Sequence, residues 1–163
     1  MGLALERARV LDENLGAEGE AVEALERIIA ELDPSNGPAH ERLRALAERL
    51  GDWKRVVRVA ERQLYLEQDP ARRIAGALEV GALVRDRLQD PNQAITAFER
   101  ALELDPRNLT ALRALAPLYA TTGDSERLIA VDEKILAETQ DPEERRRLIY
   151  DIVDTCEVSL GDA

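Results

Sequence analysis

Apolar residues recur about every three to four positions along most of the chain, which is the spacing of one face of an α-helix. Ala77, Val80, Gly81, Val84 and Leu88 form one such stripe. Comparable stripes are Trp53, Val57, Ala60 and Leu64; Ala94, Phe98 and Ala101; and Ile149, Ile152, Val153, Cys156 and Leu160. No stretch alternates apolar and polar residues as a strand would, so the pattern predicts an all-α protein. A single amphipathic helix cannot bury its stripe, so each helix needs neighbours.

Asp-Pro and Gly-Asp pairs separate the stripes and mark turns. Proline suits the first turn of a helix because its φ is fixed and it has no N–H, and a preceding Asp can cap that helix. Glycine ends helices in the left-handed conformation. The turn signals are Gly16, Asp33-Pro34, Gly51-Asp52, Asp69-Pro70, Asp90-Pro91, Asp105-Pro106, Gly123-Asp124 and Asp141-Pro142. The segments between them predict helices at about 2–15, 18–32, 38–50, 53–67, 71–88, 92–104, 108–122, 125–138 and 142–160.

The sequence repeats itself after 72 residues, since LDPSN at Leu32–Asn36 corresponds to LDPRN at Leu104–Asn108 and 104 − 32 = 72. Residues 29–91 and 101–163 share 20 identities in 63 ungapped positions. A fixed period of this length indicates a repeat architecture.

Two adjoining segments resemble the tetratricopeptide repeat. NQAITAFERALELDPRN at Asn92–Asn108 resembles its second helix, and LTALRALAPLYATTGD at Leu109–Asp124 resembles its first helix. The matching positions are Ala94, Phe98, Ala101 and Pro106, then Leu112, Leu115, Ala116, Tyr119 and Gly123. The resemblance implies a right-handed superhelical solenoid of antiparallel helix pairs. It places pairs at about 2–32, 38–67, 71–104 and 108–138, with an extra helix at 142–160, in one repeat domain, 1–163.

The chain departs from the family pattern at several positions. Leu128 and Asp132 stand where a small residue and an aromatic residue are usual, and helix 71–88 is one residue too long. We expect Gly81 at the closest contact between the two helices of its pair, as Ala116 is in the next pair.

Charge argues against nucleic-acid binding, which requires clustered positive charge. The formal net charge is −11, with 34% charged and 45% hydrophobic residues. Residues 1–36 carry 3 basic and 9 acidic groups, a net of −6, and residues 109–163 carry 6 and 12, again −6. The intervening segments are near neutral, at +2 for 37–72 and −1 for 73–108.

The sequence predicts no catalytic, cofactor or metal site, and we do not expect the protein to be an enzyme. His40, the only histidine, and Cys156, the only cysteine, both lie on helix stripes where packing is the favoured role. No phosphate loop, metal-ligand spacing or hydrolase triad is present in the sequence. The apolar runs are too short for a membrane span, so a cytoplasmic location is expected.

The resemblance implies a concave groove, lined by the first helices of successive pairs, that binds a peptide or helix of a partner protein. The expected groove side chains are Glu41, Arg42, Ala45, Arg49, Leu78, Ala82, Arg85, Thr110 and Arg113. Some family members grip a chaperone's terminal carboxylate with Lys, Asn and Arg, but no Asn occupies these groove positions. The alternative is a basic stripe on the predicted helix 53–67, on the face opposite its apolar stripe. This patch could bind an acidic partner because few neutralising neighbours are expected. It consists of Lys54, Arg55, Arg58 and Arg62.

A non-enzymatic scaffold for protein–protein interaction is therefore the preferred function. The alternative is a structural module that associates weakly end to end, and a regulatory sensor attached to an enzyme is third. The helical pattern begins and stops abruptly, so we expect either a segment of a longer array or an array whose last helix acts as its cap. Tyr150 and Val158 lie off the main stripe of the last helix and would make that end adhesive if nothing covers them.

Overall fold

The computed structural model describes residues 2–13 and 17–161, and within them every regular element is helical. The α-helices are α1 (Gly2–Glu13), α2 (Glu18–Arg27), α3 (Gly37–Arg49), α4 (Trp53–Leu66), α5 (Pro70–Leu83), α6 (Pro91–Leu104), α7 (Leu109–Thr122), α8 (Ser125–Glu138) and α9 (Pro142–Gly161). Two of them continue as π-helical segments, α2 through Ile28–Leu32 and α5 through Val84–Leu88. The all-α prediction is confirmed, and the predicted boundaries that fall on described residues lie within one residue of these; the predicted end of the first helix at 15 lies outside the described residues.

Side-chain caps begin most of the helices. The cap oxygen accepts a hydrogen bond from the backbone N–H three residues later, at 2.8–3.1 Å, in Asn36, Asp52, Asp69, Asp90, Asn108 and Asp124. The predicted capping by an Asp before Pro is confirmed at Asp69 and Asp90. It is wrong at Asp33 and Asp105, because Pro34 and Pro106 lie in the preceding turns and the Asn that follows provides the cap. There each Asp accepts a hydrogen bond from the side chain of that Asn.

The extra residue in the predicted helix 71–88 is accommodated by the π-helical segment. A π-helical turn holds one residue more than an α-helical turn, so the helix keeps its register against its neighbour up to Val84. The segment ends at Gln89, which takes the left-handed conformation with φ 55°. Gly51 and Gly123 take the same conformation, as predicted, with φ 70° and 74°; Gly16 lies outside the described residues.

The chain forms two compact units, Met1–Glu67 and Gln68–Ala163. In the first unit α1 packs on α2, α2 on α3, and α3 on α4. In the second unit each helix packs on the next, from α5 through to α9. Consecutive helices joined by such short turns lie as hairpins, which is the arrangement expected of helix pairs. A single repeat domain over 1–163 stays a prediction.

Gly81 on α5 faces Phe98 on α6 at the predicted point of closest approach. A Cβ atom built on Gly81 would lie 2.7 Å from a carbon of the Phe98 ring. The ring is 2% exposed and fills the space that the absent side chain leaves. The contact confirms the register inferred for α5.

The apolar stripe of α9 is only partly buried. Ile149 and Val153 are 49% and 46% exposed, and Tyr150 is 64% exposed. Cys156, for which a packing role is expected, is partly exposed. The side chains of Val158 and Leu160 lie outside the described residues.

Candidate functional site

In the first unit, the predicted groove residues on α3 face α1 and α2. Arg42, Ala45 and Arg49 line a shallow pocket of about 200 Å³. Its remaining lining residues are Ala8, Arg9, Leu25 and Leu46. Arg49 also lies 3.5 Å from a carboxylate oxygen of Glu18 on α2. Glu41 is exposed beside this pocket but does not line it.

In the second unit, the predicted groove residues engage acidic or aromatic neighbours. Arg113 on α7 donates hydrogen bonds of 2.8 and 3.1 Å to the two carboxylate oxygens of Glu144 on α9. Arg85 donates to Asp86 at 2.7 Å, and this bond raises the pKa of Arg85 and lowers that of Asp86. The Arg85 guanidinium also lies 5.8 Å from the centre of the Phe98 ring.

Arg113 belongs to the lining of a pocket of about 510 Å³ among α7, α8 and α9. Leu78 and Arg85 lie outside this lining. The walls are Ala116, Pro117, Ala120, Leu128, Ile135 and Leu148. The polar lining residues are Arg113, Asp132, Glu144, Arg147, Asp151 and Thr155. An apolar cleft with a few convergent polar groups is the usual form of a binding site.

Asp132 is the most unusual residue in this pocket. The residue is 5% exposed and its carboxylate borders the pocket, and no hydrogen bond or ion pair reaches that carboxylate in the described part of the chain. Burial, and secondly the charge of Asp151, raises the pKa of Asp132 to about 6. Sequence reasoning noted Asp132 as a departure from the family pattern but did not place it in a site. The spacing of the sequence could have indicated that Asp132 lies beside apolar residues, since Leu128, Asp132 and Ile135 lie on one helix face.

The alternative basic stripe on α4 is more neutralised than expected. Arg55 donates a 2.9 Å hydrogen bond to Glu26 on α2 and pairs with Asp52. Arg58 lies 3.9 Å from the same Glu26 oxygen. The expectation of few neutralising neighbours is wrong here, because helix packing brings Glu26 to the stripe from 29 residues away.

The other two members of the stripe are exposed. Lys54 lies on the surface, and Arg62 stacks on Tyr65 with 5.5 Å between the guanidinium carbon and the ring centre.

His40 is buried in the first unit, which fits a packing role. Its Nε2 lies 3.0 Å from the carbonyl oxygen of Pro34, so this nitrogen carries the proton and donates. Its Nδ1 has no partner among the described residues. Over the described ranges no cluster of His, Cys, Asp and Glu is arranged to hold a metal ion.

Of the helices in the described part of the chain, none combines the length and the apolarity needed to cross a membrane.

Comparison with known proteins finds a family match in two segments of the chain. Residues 39–74 and 111–146 each match the tetratricopeptide repeat, and the two matches start 111 − 39 = 72 residues apart. Among curated proteins, no sequence matches the chain.

Solved structures share the fold at low sequence identity. A putative kinesin light chain from Podosopora anserina, with nearly identical TPR-like repeats, is 18% identical with a TM-score of 0.53, over 96% of this chain and 85% of that one. YrrB, a TPR protein with an unusual peptide-binding site, is 17% identical with a TM-score of 0.53, over 93% and 82%. MamA is 16% identical with a TM-score of 0.50, over 90% and 91%. Two segments of the chain, 39–74 and 111–146, therefore match the tetratricopeptide repeat by sequence, and the helical fold of the chain is similar to that of these repeat structures.

Proposed function

We propose that this repeat protein is a non-enzymatic scaffold that holds a peptide or helix of a partner protein. The proposed contacts in the first unit are Glu41, Arg42 and Arg49 on α3, and those in the second unit are Leu78, Arg85 and Arg113 on α5, its π-helical segment and α7. The observation that carries the proposal is the pocket of about 510 Å³ beside Arg113, which has apolar walls and a charged rim. Helical repeats present such surfaces on a rigid frame, so a partner is bound without a large change in the scaffold.

Charge reversal on the proposed surface is expected to weaken peptide binding. Peptides selected from a displayed library of random sequences against the whole chain serve as the probe. The double variant Arg85→Glu and Arg113→Glu should lose about tenfold in affinity, corresponding to about 1.4 kcal/mol. Circular dichroism should be unchanged, because both side chains are exposed. Arg100→Glu, at an exposed position on α6, is the matched control and should bind normally.

The same peptides distinguish the two faces. The triple variant Arg55→Glu, Arg58→Glu and Arg62→Glu changes the basic stripe on α4. If it abolishes binding while the double variant binds like the parent, the basic stripe is the site and the assignment to α5 and α7 is incorrect.

Self-association is the second candidate function, and the exposed face of α9 favours it. Ile149, Tyr150 and Val153 form an apolar surface on that helix. Residues 1–36 and 109–163 each carry a net charge of −6, so like charges oppose contact between copies. Salt shortens the Debye length, which is about 8 Å near physiological ionic strength, and so reduces this repulsion.

Sedimentation over a concentration series is expected to show weak association that strengthens with salt. Tyr150→Lys should abolish it, since a charge then occupies the apolar face. Tyr65→Lys is the control, because Tyr65 is also exposed, at 76%, but lies on α4. A strict monomer at both low and high salt would exclude this candidate.

A further inference from the structure

We propose that the pocket among α7, α8 and α9 binds a basic side chain, an arginine or lysine, of the partner protein, with the Asp132 carboxylate as its counterion. This inference rests on the proposed scaffold function and assigns the chemistry that one part of the surface recognises.

A comparison of three helices in the same chain shows how unusual this aspartate is. α4, α6 and α8 each have 14 residues and begin after an Asp cap, so their positions correspond. The eighth residues are Ala60, Phe98 and Asp132, and all three are buried. In α6 the phenylalanine fills the space beside its neighbouring helix, whereas in α8 a charged group borders a pocket instead. A buried carboxylate without a partner lowers stability, so packing alone does not account for it.

The shape of the pocket suits a long side chain with a charged end. Ala116, Leu128 and Leu148 provide apolar walls for a run of methylene groups. Arginine and lysine side chains bury such a stem while the charged head contacts polar groups. The volume of about 510 Å³ exceeds that of a single side chain, so neighbouring atoms of the partner have room as well.

The charges that face the pocket favour a cation over an anion. Arg113 pairs with Glu144 at 2.8 Å, and Arg147 lies 3.7 Å from Asp151. The charges within each of these two ion pairs cancel. With Asp132 included, two cationic and three anionic side chains line the pocket, which gives a net charge of −1. An anionic ligand would add to the uncompensated charge, and an apolar ligand would leave the carboxylate unpaired. A guanidinium or ammonium group supplies the missing donor.

The raised pKa of Asp132 agrees with this geometry. Burial, with a smaller contribution from the negative charge of Asp151, brings it to about 6. A bound cation stabilises the ionised form and therefore lowers this pKa. By linkage, binding of a basic peptide should weaken as the pH falls through about 6, where Asp132 becomes protonated.

The test selects random peptides against the whole chain at neutral pH and measures their affinity for the parent, Asp132→Asn and Asp154→Asn. We expect the selected peptides to be enriched in arginine or lysine. Asp132→Asn should weaken their binding by about tenfold or more, the loss expected when one partner of a buried charged contact is removed. It should also remove the decline of affinity at acid pH. Asp154→Asn, which changes an exposed aspartate of α9 outside the pocket lining, should bind like the parent.

Peptides without basic enrichment, or basic peptides that bind Asp132→Asn as tightly as the parent, would overturn the assignment to this pocket while leaving the scaffold function intact. A library that yields no binding peptide at all would overturn both.

Discussion

Replacing Gly81 with leucine is expected to lower the free energy of unfolding by about 1–3 kcal/mol. Even the Cβ atom would lie 2.7 Å from the Phe98 ring, which is inside van der Waals contact. The ring has little room to move, because it is 2% exposed and enclosed by its neighbours. Either α5 and α6 separate or Phe98 leaves its preferred rotamer, and both cost free energy. Urea unfolding followed by circular dichroism measures the change.

Alanine substitutions separate this clash from helix propensity. Alanine in place of glycine favours a helix by about 1 kcal/mol when nothing else changes. Gly19 on α2 offers the control, because a Cβ atom added there would meet no atom within 4 Å outside its own helix backbone and chain neighbours. Gly19→Ala should therefore be neutral or stabilising, whereas Gly81→Ala should be destabilising.

A smaller residue at position 98 should relieve the clash. Phe98→Leu alone leaves a cavity and costs stability. Combined with Gly81→Ala, it should cost less than the sum of the two single changes, by about 0.5–3 kcal/mol. A Gly81→Leu variant that unfolds at the same urea concentration as the parent would mean that the contact between α5 and α6 is wrongly placed.

The helix boundaries could be predicted from sequence because their causes are local. The caps at Asp69 and Asp90 bond to a backbone N–H only three residues away, within reach of any sequence window. The errors at Asp33 and Asp105 arise because a second capping residue, Asn36 or Asn108, follows shortly after. Which one caps depends on the conformation of the turn, and sequence spacing alone does not determine it.

The candidate site was less predictable because its contacts join distant segments. Arg113 meets Glu144 across 31 residues, and Arg55 meets Glu26 across 29. Helical spacing indicates which side chains share a face, but not which partner a neighbouring helix presents. The same limit applies to the environment of Asp132. Its position on an apolar face was visible in the sequence, yet its burial without a partner depends on how α7 and α9 pack around it.

Replacing Asp132 with leucine is expected to raise the free energy of unfolding at neutral pH by about 1–2 kcal/mol. The pKa of Asp132 is about 6 in the folded chain against an ordinary value of 3.8. Each pKa unit corresponds to about 1.4 kcal/mol, and water that enters the pocket screens part of this cost, so ionised Asp132 disfavours the folded state by about 1–2 kcal/mol. Leucine removes the charge and adds apolar contact with Leu128 and Ile135 along the pocket wall.

The isosteric change Asp132→Asn tests whether the charge is the cause, because its effect must depend on pH in one direction. Between pH values of about 3.8 and about 6 the folded chain holds a proton on Asp132 that the unfolded chain has released. The parent's free energy of unfolding therefore falls as the pH rises through this window, and the full cost is present above it. The advantage of Asp132→Asn over the parent should be largest near neutral pH and shrink towards about pH 4.

Asp86→Asn is a control whose effect on the free energy of unfolding should have the opposite sign. Arg85 lowers the pKa of Asp86, so that carboxylate stabilises the fold when ionised, and its removal should cost a little stability at neutral pH and nothing in acid. If the advantage of Asp132→Asn does not vary with pH, the Asp132 carboxylate is already satisfied and the pocket has no unpaired counterion to offer. If the advantage varies as expected and the same variant also loses its basic peptides, the chain retains a destabilising aspartate at a position where Ala60 and Phe98 show that apolar residues fit. That combination separates a binding residue from a packing defect, because a defect would gain stability without losing a ligand.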